Sequence, residues 1–198
     1  MGRTATFEAA EVVRAARSLF WREGFEGTSM SAIQQATGLN ASSIYHAFGS
    51  KRGLFEAAIE NYLDEVVRPG LAPLLADRPG PEALADYLGA AAALLGAPDG
   101  GGEAALPDGC LLVNTACAGI GREQAVREVI ASYRAELLRA FGAGVAARFP
   151  GASAAERERL TETSVSALLA ALVMSRIDPG AARSALDAAR TPLLAPTP

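Results

Sequence analysis

Residues 40–51, NASSIYHAFGSK, gather an asparagine, three serines, a tyrosine, the chain's only histidine and its only lysine. Hydroxyls, an amide, an imidazole and an ammonium are hydrogen-bond donors suited to negatively charged oxygen acceptors. They are a poor set for covalent chemistry. His46 has no carboxylate near it in sequence to orient it as a base, so a hydrolytic triad is not supported. GAGV at 142–145 sits inside a helical pattern rather than after a strand, and no phosphate-cradling loop ends in Gly-Lys-Ser. Cys110 and Cys117, seven residues apart on one expected helix, would have backbones separated by roughly 10 Å. That distance is too long for a disulfide and argues against both gripping one metal ion. The expectation is a protein with no catalytic residues, no cofactor and no metal.

Periodicity says how the donors are presented. At about 100° per residue, Ala41, Ser42, Tyr45 and His46 share one side of a short helix. Ile44 and Phe48 share the other and can pack against Ile33 and Leu19. A small, polar, uncrowded helix tip suits the DNA major groove, where hydroxyls and methyls meet base edges. Tyr45, His46 and Lys51 carry donors that reach phosphates, and the amides opening the flanking helices offer further anion sites. A second reading stays open at this point. Helix hairpins with a glycine in the turn also occur in proteins that never touch DNA.

The elements that must position this segment are all helical, with no alternating strand pattern anywhere. FEAAEVVRAARSLFWREG reads as a first helix stopped by Gly24. Thr28 or Ser29 caps a second that ends at Gly38, and Asn40 caps the third. Ser50 caps a fourth, halted near Pro69-Gly70. A linker follows, and Pro81 opens a helix to about Leu95. The Gly/Pro-rich stretch 96–109 reads as a mobile loop. Beyond it come a short apolar helix from Cys110 and a long amphipathic one over 122–149. Ser153 and Glu156 form a capping box for a helix to about Ile177. Asp178-Pro179 starts the last, to about Arg190, and the tail TPLLAPTP looks loose.

At 198 residues, half of them apolar, the chain can bury a proper core. No apolar run approaches the ~20 residues of a membrane span, and no secretory core opens the sequence, so a cytoplasmic protein is expected. The net charge of −4 is unevenly spread. Residues 1–55 set Arg3, Arg14, Arg17, Arg22, Lys51 and Arg52 against Glu8, Glu11, Glu23 and Glu26, a net of +2 that leaves −6 for the remainder. A mildly basic head on an acidic body fits a DNA-facing unit attached to something else.

GFEGTSMSAIQQATGLNASSIYHAFGSKRGLF closely resembles the helix-turn-helix of the tetracycline-repressor (TetR) family of bacterial transcriptional regulators. The matching features are Gly24-Phe25, Thr28-Ser29-Met30, Ile33, Ala36, Gly38-Leu39, Ile44-Tyr45-His46, Phe48, and Ser50-Lys51 followed by Leu54. GCLLVNTA at 109–116 also looks like the start of the sixth helix in one branch of the family. The resemblance implies an all-α chain: a helix-turn-helix domain over 1–55, a connecting helix over 51–67, and a helical ligand-binding and dimerisation domain over 68–198. It implies a homodimer joined through the last two helices, double-stranded DNA as partner (a palindromic operator), and a small-molecule effector of unknown identity. Carried over by position, Ala41, Ser42 and Tyr45 approach bases, while Ser29, Ser43, Tyr45, His46 and Lys51 hold phosphates. Thr28 and Asn40 complete the expected DNA-binding set. Many members have a lysine where this chain has Ala41, which leaves only a methyl to meet a base there. Arg3 is a candidate arm for the minor groove.

An effector needs an interior that is not fully packed. Polar and aromatic groups on otherwise apolar helices are the candidate lining: Tyr62, Tyr87, Asn114, Cys117, Tyr133 and Phe141. Asn114 either meets a ligand or bonds a neighbouring backbone group. The cysteines either sense electrophiles or are inert. Leu160, Leu168, Leu169, Leu172, Val173 and Ile177, with small Ala167, Ala170 and Ala171 among them, read as the dimer contact. The rival to a DNA-binding regulator is a helical dimeric module, or an enzyme, that does not bind DNA.

Overall fold

A computed structural model describes residues 2–95 and 109–195. The helices, in chain order, are α1 Gly2–Gly27, α2 Met30–Thr37, α3 Ala41–Phe48, α4 Lys51–Tyr62, α5 Arg68–Leu71, α6 Ala83–Leu95, α7 Leu111–Cys117, α8 Gln124–Arg148, α9 Ala154–Met174 and α10 Pro179–Leu194. A π turn, Leu63–Val67, joins α4 to α5, and a 3₁₀ turn, Gly119–Arg122, follows α7. No strand occurs among the described residues. The Arg3 side chain and residues 96–108, the bulk of the expected mobile loop, lie outside them.

Local chemistry sets the first four helices. Val12, Ala16, Leu19 and Phe20 recur at helical spacing and are buried. Gly24, at φ 73°, breaks α1 as expected, although one further turn continues to Gly27. Ser29 Oγ accepts the amide of Ala32 at 3.0 Å, Asn40 Oδ1 that of Ser43 at 2.8 Å, and Ser50 Oγ that of Gly53 at 3.0 Å. Each satisfies an orphan donor in a first turn. Gly38 closes α2 in the left-handed conformation at φ 69°. Ile33 and Ile44 are fully buried in the core, where α2 packs on α1 and α3 on α4.

Beyond α4 the expectations need correction. The helix is halted near Pro69-Gly70 as expected, at Leu71, but with Pro69 inside its last turn. Proline removes one amide and crowds the carbonyl four residues back. The π turn just before it widens the helix, and Arg68 N–H bonds Leu63 O, five residues back, so the ring is accommodated. Pro81 lies in a turn, and α6 opens two residues later at Ala83. The last helix passes Arg190 to Leu194, so most of the expected loose tail is ordered: Leu193 is buried. Arg148 holds that end, its Nε donating to Leu193 O at 2.7 Å and an Nη to Ala195 O at 2.6 Å. Ser153 caps α9 as its spacing predicts, through the amide of Glu156 at 3.2 Å. Helix α9 ends at Met174 because Asp178 already caps α10, accepting from Ala181 N at 2.9 Å.

The body packs α6, α9 and α10 together, with α8 against α9 and α1 against both α4 and α7. No described helix is long and apolar enough to cross a membrane.

Candidate nucleic-acid interface and effector cavity

Helix α3 presents its two faces as the periodicity demands. Ile44 is fully buried, while Ser42, Tyr45 and His46 are exposed and Ala41 and Ser43 half-buried. The caps matter chemically as well as structurally. Ser29 and Asn40 use an oxygen to accept a backbone amide, which leaves the serine O–H and the asparagine NH₂ to donate outward. Lys51 Nζ lies 4.5 Å from the centroid of the Phe25 ring, a cation–π contact that holds the ammonium beside α1 while leaving it partly exposed.

Thr28 must be removed from the expected set. It is fully buried, and its hydroxyl donates to Gly24 O at 2.7 Å, so it closes the kinked end of α1 and cannot meet DNA. Gln34 is a residue that sequence reasoning missed. Its Oε1 accepts the amide of Ala41 at 3.2 Å and its Nε2 donates to Met30 O at 3.3 Å, pinning the tip of α3 to α2. Nothing in a lone glutamine on α2 announces a partner seven residues on and across a turn.

The hairpin is tied to the body through α1 and α4. Arg14 Nε and Arg17 Nη1 bond the Glu65 carboxylate at 2.8 and 2.9 Å, and Arg17 Nη1 also reaches Asn61 Oδ1 at 2.8 Å. Glu26 accepts the amide of Ile120 at 2.8 Å, Trp21 Nε1 donates to Gly109 O at 3.2 Å, and Arg52 pairs with Glu123. Burial alone would raise the Glu65 pKa, but hydrogen bonds from Arg14, Asn61 and Arg17 outweigh it and hold the carboxyl below its ordinary value. A carboxylate depressed in the folded state stabilises fully above its ordinary value of 4.5 and loses that contribution as pH falls through the lower folded value. Glu65→Gln is therefore expected to lower the thermal midpoint at pH 6. The gap from the parent protein should shrink as scans are run at progressively lower pH below 4.5; a gap constant with pH would deny the clamp its charge.

A cavity of about 590 Å³ opens among α4, the π turn, α6, α8 and α9. Of the expected effector residues, Tyr62, Tyr87 and Tyr133 line it, along with Val66, Val67 and Leu168. Phe141 does not; it is fully buried behind Tyr87, edge to face at 5.3 Å. Asn114 faces a smaller cavity of about 250 Å³ between the end of α1 and α7. Cys117 lies on an apolar groove of about 320 Å³ bounded by α7, α8 and α9, whose wall Tyr133 shares. The two thiols are unpaired, Cys110 buried just before α7 and Cys117 exposed at its end. Burial, and then the neighbouring Cys110, raises all three tyrosines, Tyr87 to about 12. At neutral pH each therefore keeps its hydroxyl proton.

Residues 12–58 match the family model of bacterial regulatory proteins, tetR family. The HTH-type transcriptional repressor ComR of Escherichia coli (strain K12) is 34% identical over 57% of this chain and 51% of its own. The HTH-type transcriptional repressor BdcR of the same organism is 36% identical over 46% of each. The chain thus aligns with about half the length of these curated relatives. Among solved structures, a cysteine mutant of the TetR family transcriptional regulator CifR complexed with 26bp double-strand operator DNA superposes with a TM-score of 0.75 at 26% identity. That superposition covers 92% of this chain and 95% of the other. The helix-turn-helix segment thus matches the tetR family of bacterial regulatory proteins, and the described chain shares the fold of a TetR family regulator solved on operator DNA.

Proposed function

We propose that this protein is a sequence-specific DNA-binding transcriptional regulator, a repressor that a small molecule releases from a palindromic operator. One observation carries the reading. Ser42, Tyr45 and His46 stand outward on α3, directly opposite a fully buried Ile44, within the stretch that the family model matches. The likeness to a regulator solved on operator DNA supports it. In this reading Ala41, Ser42 and Tyr45 meet bases, while Ser29, Asn40, Ser43, His46 and Lys51 address the phosphates. Residues 1–55 read DNA, helix 51–67 connects, and 68–198 bind effector and partner. It works by binding, without catalysis, in the cytoplasm.

The working unit is a homodimer through α9 and α10. Leu160, Leu168 and Leu172 are buried within their own chain, so they do not serve as contact surface. The exposed residues Thr163, Ser166, Ala170 and Val173 instead form a line at helical spacing on α9, small at its centre, and the exposed Ile177 in the turn after the helix extends its apolar end. Two-fold symmetry would set the two α3 tips about one DNA turn apart.

The test is gel-shift titration against the chain's own promoter region at several salt concentrations. Specific retention that weakens steeply from low to moderate salt is expected, because neutralised phosphates release counterions. Lys51→Ala should weaken binding to all sequences about equally, whereas Ser42→Ala should change which sequence is preferred. Equal retention of random and promoter DNA by the parent protein would reject the proposal.

A further inference from the structure

The cavity's lining names a ligand class, an inference that rests on reading the cavity as the effector site. Its walls are apolar and aromatic: Val66 and Val67 from the π turn, Leu95 from α6, Leu168 and Leu172 from α9, and the rings of Tyr62, Tyr87 and Tyr133. Its charged lining residues are Glu82 and Asp86, both exposed and therefore marking the open side. No lysine, arginine or histidine is among the described lining residues. The two carboxylates are not equivalent. Glu82 has Arg148 at 3.4 Å, and Arg148 is further committed to the carbonyls at the end of α10. Asp86 makes no ion pair among the described residues.

An anion entering this space would leave water for apolar walls and meet two carboxylates, of which only Glu82 has a cation beside it. A cation would meet the electron-rich faces of tyrosine rings and the unpaired charge of Asp86. Volume is no obstacle, since ligand pockets for drug-sized molecules span about 300–1,000 Å³. We infer that the cavity between α4, α6, α8 and α9 takes a lipophilic organic cation, with its apolar body among the leucines, valines and tyrosines and its charge toward Asp86.

Tetraphenylphosphonium and tetraphenylborate test this directly, being nearly the same shape with opposite charge. Occupancy can be followed on the full chain without DNA, because its one tryptophan, Trp21, packs edge to face at 4.9 Å on Tyr62 of the cavity wall. The phosphonium is expected to bind at least about tenfold more tightly than the borate, the order that a partly solvated carboxylate gives. Asp86→Asn should bring the two nearer parity. Ala91→Trp, which fills the lining, should abolish both signals, with the helical circular-dichroism spectrum confirming the fold. Equal or tighter binding of the borate, a preference unaltered in Asp86→Asn, or saturable binding of neither ion would overturn the inference. Operator binding is scored in a separate assay, so the ligand class and the regulatory reading fail independently.

Discussion

Replacing Ile44 with alanine is expected to lower the thermal midpoint by roughly 10 °C and to remove most operator retention, although Ile44 touches no DNA. Ile44 is fully buried, part of the same core as Ile33 and Phe20. Truncating a fully buried isoleucine costs about 2–5 kcal/mol, the lost transfer energy plus the cavity left behind. In a chain of this size each kcal/mol moves the midpoint by about 2–4 °C. Helix α3 is only eight residues long, too short to persist without tertiary packing. Loosening its single deep anchor therefore blurs the positions of Ser42, Tyr45 and His46 together. Thermal scans with gel shifts at the same temperature check this. An unchanged midpoint would mean that α3 is held by something other than its Ile44 face.

The second large effect concerns assembly. Val173 on α9 is 43% exposed and Ile177, in the turn after it, 76%, so glutamate at both positions should leave the fold intact. Charges facing each other across a two-fold axis repel, and a desolvated carboxylate is costly. The double variant V173E/I177E is expected to sediment as a monomer with an unaltered helical spectrum. Its operator affinity should fall by about a hundredfold or more, since two half-sites held by one particle gain an effective concentration that separate subunits lack. A dimer that survives both charges would place the interface on another face, away from Val173 and the apolar groove that it lines.

What could be read from residue order alone was whatever is decided within about four residues. Ser29, Asn40, Ser50, Ser153 and Asp178 cap helices because a side chain and the amide three positions on are always within reach. The outward set on α3 followed from the same short-range geometry, as did the kink at Gly24. The three tyrosines of the cavity were legible as polar rings on apolar helices.

The errors fall where a distant partner decides. The π turn before Pro69 was not legible, its flank being held by Arg14 and Arg17 some fifty residues earlier in the chain. The tail looked loose because Arg148, the residue that fastens it, lies 45 positions away. Phe141, Asn114 and Cys117 share the apolar-helix pattern of the tyrosines, and only the packing of α6, α7, α8 and α9 sent them to different places. Hydrogen bonds inside a helical turn are written into spacing, whereas the depth of a side chain and the charge at a cavity mouth exist only once separate helices meet.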